Sequence, residues 1–179
     1  MEPDTFDLAH VCLRPLLLSD IDDFMVWATD ERVAKFCTWE PYTSRDAAVD
    51  FIQNNAQNCS LFRAICLGDR AIGSMSVRSY SGDDKARAKT AELGYVLGSK
   101  YWGKGIATKA VKQVVEMAFA DLPDLQRLEA LVDVENVASQ RVLEKAGFQR
   151  EGVLRKFLIM KGKSRDMVMF SVISGEVKA

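Results

Sequence analysis

Histidine is nearly missing from this chain: His10 is the only one in 179 residues. A histidine-rich metal site is therefore excluded, and a serine-histidine-acid triad would have to use His10, which sits beside the first strand and reads as a strand-edge residue. Cysteine is sparse too. Cys12, Cys37, Cys59 and Cys66 all lie in the first half, and no two have Cys-x-x-Cys spacing. They read as buried free thiols in a reducing compartment, not as a disulfide framework or a zinc site, so no metal is expected. Neither sign of charge dominates: 24 Lys and Arg against 25 Asp and Glu give a formal net charge of −1. That balance exerts no global pull toward nucleic acid or membrane, and any anionic ligand must be held by a local site. No apolar run approaches the roughly 18 residues of a membrane span. The acidic start Met1-Glu2-Pro3-Asp4 fits neither a signal nor a transit peptide. The expectation is a cytoplasmic protein, with the nucleus also open, that binds neither nucleic acid nor membrane.

What is present is an ordinary globular balance, with 48% hydrophobic and 27% charged residues. A chain of this length closes one hydrophobic core, so residues 1–179 are read as a single domain. Val11 to Leu16 reads as a short strand ending near Pro15. Ser19-Asp20-Ile21-Asp22 opens a helix that runs to about Ala28, with a hydroxyl cap and an acid three residues on. Thr43-Ser44-Arg45-Asp46 is a second such pattern, ahead of helically spaced Ala47, Ala48, Phe51 and Ile52. The period then changes. Leu61 to Cys66, a turn at Leu67-Gly68-Asp69-Arg70, and Ala71 to Val77 read as strand, turn and returning strand. Ser81 to Ala88 reads as a loop and Thr90 to Leu97 as the next strand, closed by Gly98. Ala107, Ala110, Val111, Val114 and Ala118 share one helix stripe, which Leu122-Pro123-Asp124 stops. Arg127 to Val132 is a strand, and Asn136 to Ala146 a helix with Gly147 at its left-handed cap. A hairpin ends the chain: Val153 to Met160, a turn at Lys161-Gly162-Lys163-Ser164, and Met167 to Ile173. This order describes a mixed α/β or α+β domain.

The segment Tyr101-Trp102-Gly103-Lys104-Gly105-Ile106-Ala107-Thr108 joins a strand to a helix. Glycines there let the backbone approach a ligand, and the first helical amides point outward without intrahelical partners. The helix dipole adds positive potential, and Lys100, Lys104, Lys109 and Lys112 lie nearby. The segment is also compatible with a plain turn beside a solvated lysine face. A nucleotide P-loop is a poor match, because Gly105 stands where the Mg²⁺-binding hydroxyl belongs. The dinucleotide fingerprint fails as well, because Thr108 stands where a third glycine is needed.

Three stretches, in this order and spacing, resemble the GNAT superfamily of acetyl-coenzyme A (acetyl-CoA)-dependent N-acetyltransferases. They are Ala91 to Leu97, Tyr101 to Thr108, and Asn136-Val137-Ala138-Ser139 followed by Lys145-Ala146-Gly147-Phe148. Within that superfamily the likeness is to the Rim branch, named for enzymes that acetylate ribosomal protein N-termini. It spans the chain from Leu13-Arg14-Pro15-Leu16 to the final hairpin. The family's loop pattern has Gln or Arg where this chain has Trp102, a substitution usual in the Rim branch. The resemblance implies the GNAT fold: a largely antiparallel N-terminal sheet, a central splayed parallel strand pair and flanking helices. It implies acetyl-CoA as the acyl donor, with the backbone of Gly103, Lys104, Gly105, Ile106, Ala107 and Thr108 on the pyrophosphate, Trp102 in the same loop, Val96 and Leu97 along the pantetheine arm, and Asn136 beside it. Asn136 reads equally as the cap of its own helix.

Acetylation of an amine by direct attack needs a base, a donor for the developing oxyanion and a proton for the leaving thiolate. Glu92, just before the loop, is the candidate base. The family's usual tyrosine acid falls on Leu143, so Ser139, one turn after Asn136, is the candidate acid, with Tyr95 and Tyr101 as further possibilities. Asp22, Asp23, Asp30, Glu31, Glu40 and Asp46 put acid where an acceptor amine would approach, and Phe36, Trp39 and Tyr42 could shape its pocket. Three acceptor readings stand: a protein N-terminus; a small amine such as a polyamine, amino sugar or antibiotic; or no acceptor, in a catalytically weak acetyl-CoA sensor. The chain is expected as a monomer or homodimer.

Overall fold

The computed structural model describes residues 7–55, 58–80, 87 and 89–176. Of the loop expected over 81–88, all but Arg87 lies outside the described residues. Among those described, seven strands form one sheet: β1 (Val11–Arg14), β2 (Leu61–Leu67), β3 (Arg70–Ser79), β4 (Thr90–Leu97), β5 (Arg127–Asp133), β6 (Gln149–Met160) and β7 (Lys163–Ile173). Their order is β1-β2-β3-β4-β5-β7-β6. Every neighbouring pair is antiparallel except β4 and β5. This is the mixed, mostly antiparallel α/β sheet of the GNAT fold.

Helices cover both faces. α4 (Ile106–Asp121) and α5 (Val137–Lys145) pack on one side, where Ile106, Ala110, Val111, Val114 and Leu143 meet Leu93, Leu128 and Phe170 in the larger core. α1 (Ile21–Ala28), the single turn α2 (Glu31–Ala34) and α3 (Arg45–Asn55) belong to the other side. There Phe24, Trp27, Ala48 and Ile52 form a second core with Val96 packed against it. The alternation of β4 divides it between the two: Ala91, Leu93 and Leu97 join the first core, while Glu92, Gly94 and Val96 face the second.

Three local expectations are corrected. The first helix does not start at a Ser19 cap. Leu18–Asp20 forms one 3₁₀ turn, because the Asp20 carboxylate accepts from Leu17 N at 2.8 Å and from both Arg14 nitrogens at 2.7 Å. The last turn is two residues, not four: Lys161 and Gly162 both have positive φ (51° and 73°), so β7 resumes at Lys163. β6 begins at Gln149, ahead of Val153, and carries irregularities between Arg150 and Gly152 and between Leu154 and Leu158 that its alternation hid. In the second helical pattern the cap is Ser44, whose Oγ accepts from Ala47 N at 3.1 Å.

Candidate active site

β4 and β5 pair over three rungs only, Thr90 with Arg127, Ala91 with Leu128 and Glu92 with Glu129. β3 stays on β4 as far as Leu97, and β7 stays on β5 as far as Asp133. The two central strands therefore fork after Glu92, each held from its outer side. Hydrogen-bond parity shows what the fork exposes. Gly98 N donates to Ile72 O, and Thr90 O accepts from Tyr80 N, so even-numbered β4 residues spend their peptide groups on β3. Leu93, Tyr95 and Leu97 turn theirs toward β5, which has moved away. At the mouth, the Trp102 indole N–H donates to Leu97 O at 2.7 Å and ties the glycine loop to the strand end. Val96 sends its peptide groups to β3 and its side chain into the second core.

The loop then climbs into α4. Gly103 and Gly105 have φ of 73° and 79°, a region that favours glycine because a Cβ crowds the backbone there. Added at Gly103, a Cβ would meet nothing within 4 Å, so φ alone demands this glycine. Gly105 is the N-cap of α4 and offers no side-chain cap, and the first intrahelical donor is Lys109 N, 3.1 Å from Gly105 O. The amides of Ile106, Ala107 and Thr108 are thus left to an outside acceptor. Ile106 is fully buried and anchors this end, while Trp102 and Lys104 are exposed.

Across the fork on the α5 side, the Tyr95 hydroxyl lies 2.5 Å from Ser139 Oγ. Burial pushes Tyr95 up to about 12, against the opposing hydrogen bond of Ser139, so the phenol keeps its proton through the neutral range. Asn136 caps α5: its Oδ1 accepts from Ser139 N at 3.2 Å, which leaves its amide available to donate. Leu143 is wholly buried.

Glu92 lies on the opposite face from Ser139, so the two candidate catalytic groups bracket the fork instead of touching. Its partner is Tyr80, whose hydroxyl donates to Glu92 at 3.2 Å and to Glu129 at 3.3 Å. Arg87 and Arg127 donate to Glu129 at 2.6 and 2.8 Å. Sequence reasoning missed Tyr80, Arg87, Arg127 and Glu129. One signal was available: with Leu128, Ala130 and Val132 facing the core, Glu129 is a charge in the middle of a central strand.

Most of the acids near the expected acceptor side are paired locally. Asp22 binds Arg45, Asp23 binds Arg70 at 2.8 Å, Asp30 binds Arg32 at 2.7 Å and Ser99 at 2.6 Å, and Glu40 lies 3.3 Å from Lys161. Trp39 and Tyr42 belong to the second core, with Tyr42 edge-on to Phe24. The tip of the β6–β7 hairpin leans over this side, where Lys161 also donates to Ala34 O at 2.9 Å. Among the described residues no helix is long and apolar enough to cross a membrane, and no three His, Cys, Asp or Glu side chains gather as a metal site.

Residues 10–149 match the model of the acetyltransferase (GNAT) domain family. An uncharacterized N-acetyltransferase, p20 of Bacillus licheniformis, is 32% identical over 97% of this chain and 98% of its own length. The spermidine N(1)-acetyltransferase of Escherichia coli K12 is 26% identical over 96% of this chain and 90% of its own. Among solved structures, the microcin C7 self-immunity acetyltransferase MccE, in complex with acetyl-CoA and AMP, superposes with a TM-score of 0.76 at 26% identity, covering 92% of both chains.

Proposed function

The chain belongs to the GNAT acetyltransferase family and is an acetyl-CoA-dependent N-acetyltransferase; from that premise we propose that its donor lies in the β4–β5 fork and that its acceptor is the α-amine of a protein N-terminus. The observation that carries the donor site is the fork together with the uncapped start of α4. The edge left by Tyr95 and Leu97 offers backbone donors and acceptors to the amide-bearing pantetheine arm, with Val96 beside it. The amides from Gly103 through Lys104, Gly105, Ile106 and Ala107 to Thr108 suit a pyrophosphate, favoured by the dipole of a 16-residue helix. Trp102 holds that loop on the strand, and the Asn136 amide is placed to donate.

The donor supplies an acetyl thioester; the chain supplies what surrounds it. Glu92, on the face of α1 and α3, takes the proton of the attacking amine, directly or through water. The edge amides beyond the fork supply backbone donors for charge developing on the acetyl oxygen. Ser139, backed by the protonated Tyr95, gives a proton to the leaving thiolate from the opposite face. This division requires the two groups to sit on opposite sides of the gap.

A singly charged acceptor is favoured because the acids of α1, α2 and the segment after it are largely spent on their own arginines and lysines. A polycation would have to displace those partners. The likeness to a spermidine acetyltransferase supports the second reading, a small polyamine. Release of free thiol, measured with peptides bearing free N-termini and with spermidine, separates the two. Faster turnover of peptides is expected, whereas preference for spermidine, or no release with any acceptor, would reject the N-terminal reading.

A further inference from the structure

Glu129 is a carboxylate that the mechanism above does not use, and it is only 6% exposed. It sits beside Glu92 on the last rung before the strands part. Two neighbouring carboxylates oppose each other's ionisation unless their charge is met, and here it is met unequally. One Glu129 oxygen accepts from Arg127 Nε at 2.8 Å. The other accepts from Arg87 at 2.6 Å and from the Tyr80 hydroxyl at 3.3 Å. Among the described residues, only Tyr80 hydrogen-bonds the Glu92 carboxylate, at 3.2 Å. One phenolic proton thus serves two acids. Tyr80 is itself held, because the Arg87 guanidinium stacks 3.7 Å from its ring centre. Burial, then the two glutamates, push its hydroxyl up to about 12, so it stays a donor. The other charges nearby are committed elsewhere. Arg78, the β3 register partner of Glu92, is exposed and turned to Cys59; Glu151 of β6 is bound by Arg127; Asp50 of α3 binds Asn54.

We propose that Glu129 is a positioning residue: anchored by Arg127 and Arg87, it fixes Tyr80, and the two together hold Glu92 at the fork as a base. The inference rests on the reading of Glu92 as that base. Neither Glu129 nor Tyr80 exchanges a proton with the substrate. Their places beside Glu92 are opposed in chemistry: Tyr80 brings a hydrogen-bond donor to its carboxylate, and Glu129 brings a second carboxylate.

The opposition gives the test. In full-length protein labelled with carboxyl-¹³C glutamate, the Glu92 resonance is assigned by its absence in Glu92→Gln and followed against pH. Tyr80→Phe, which removes the hydrogen bond to the Glu92 carboxylate, is expected to raise the Glu92 midpoint, and Glu129→Gln, which removes the neighbouring carboxylate, to lower it. Arg87→Gln, at a more exposed position, provides a third variant and raises it. The low-pH limb of kcat moves in the same directions. A merely structural role for these residues would reduce activity without opposite shifts. Midpoints that stay at the wild-type value, or move the same way in Tyr80→Phe and Glu129→Gln, overturn the inference. If Glu92→Gln turns over like wild type, the base reading falls and this inference with it; if Glu92→Gln loses turnover while the midpoints stay put, only the positioning role falls.

Discussion

The proposed mechanism divides the chemistry among the side chains of Glu92, Ser139 and Tyr95, and each can be removed without emptying a core. Glu92→Gln keeps the shape and loses the base, so turnover should fall roughly 10²- to 10⁴-fold while acetyl-CoA binding, read by calorimetry, is unchanged. Ser139→Ala removes one end of the 2.5 Å hydroxyl contact, and Tyr95→Phe removes the other end together with the 3.2 Å hydrogen bond from the phenol to Ser139 O. Each should lower turnover by about 5- to 10-fold, the worth of a hydrogen bond. The double variant should be no slower than the worse single, because both changes break the same relay; additive losses in the kinetics would mean separate roles. Away from the chemistry, the Arg127 hydrogen bonds, then that of Ser171, lower Glu151 from its ordinary value of 4.5 to about 2. A carboxylate depressed on folding stabilises above its unfolded value and loses that contribution as pH falls through the folded one. The urea midpoint of wild type should therefore exceed that of Glu151→Gln above pH 4.5, and the gap should close toward pH 2. It should be small, because the Glu151 side chain is 40% exposed.

Among the elements, β4 carries the most consequence: it packs on both cores, ends in the glycine loop and frees one edge. Its fit to β3 is tight at Gly73, where a Cβ would lie 2.3 Å from Val96 O. Gly73→Ala must push the strands apart, and thermal denaturation should show a loss of about 5 °C. Gly105→Val acts differently. Its cost is a left-handed φ of 79° at the first turn of α4, so acetyl-CoA affinity should drop at least about tenfold, the effect of roughly 1.4 kcal/mol, with the far-UV spectrum of the fold retained. β4 was legible in the sequence to the residue, and α5 to within one residue at each end, with Asn136 as its cap and the left-handed Gly147 just past it, because period and capping chemistry are local. The first helix was misplaced because Asp20 is claimed by Arg14, a tertiary partner that no local pattern announces. The hairpin turn was misread because positive φ at Lys161 is not a property of lysine. α2, a single turn, has too few residues to show a period.

At the scale of the whole molecule, sheet order matters more than any motif. It sets β4 beside β5, 37 residues later at the first rung, and so brings Glu92 next to Glu129 and Tyr95 next to Ser139. The proposed donor site is legible in the sequence because it is built largely from one contiguous stretch, Glu92 to Thr108. The Tyr80–Glu129–Arg87–Arg127 cluster could not, because Tyr80 and Arg87 follow β3 while Arg127 and Glu129 lie in β5, and their contacts join residues up to 49 positions apart. The acceptor side was legible as composition, but its acids proved to be mostly paired, which only the fold reveals. The central claim is that acetyl-CoA occupies the fork along the free edge of β4 and at the start of α4. Titration of ¹⁵N-labelled protein with acetyl-CoA tests it most directly. The amide signals of Tyr95, Leu97, Gly105, Ile106, Ala107 and Thr108 are expected to shift together at saturation while those of α3 stay in place; saturable binding that leaves these six unmoved, or that shifts α3 instead, would rule out this donor site.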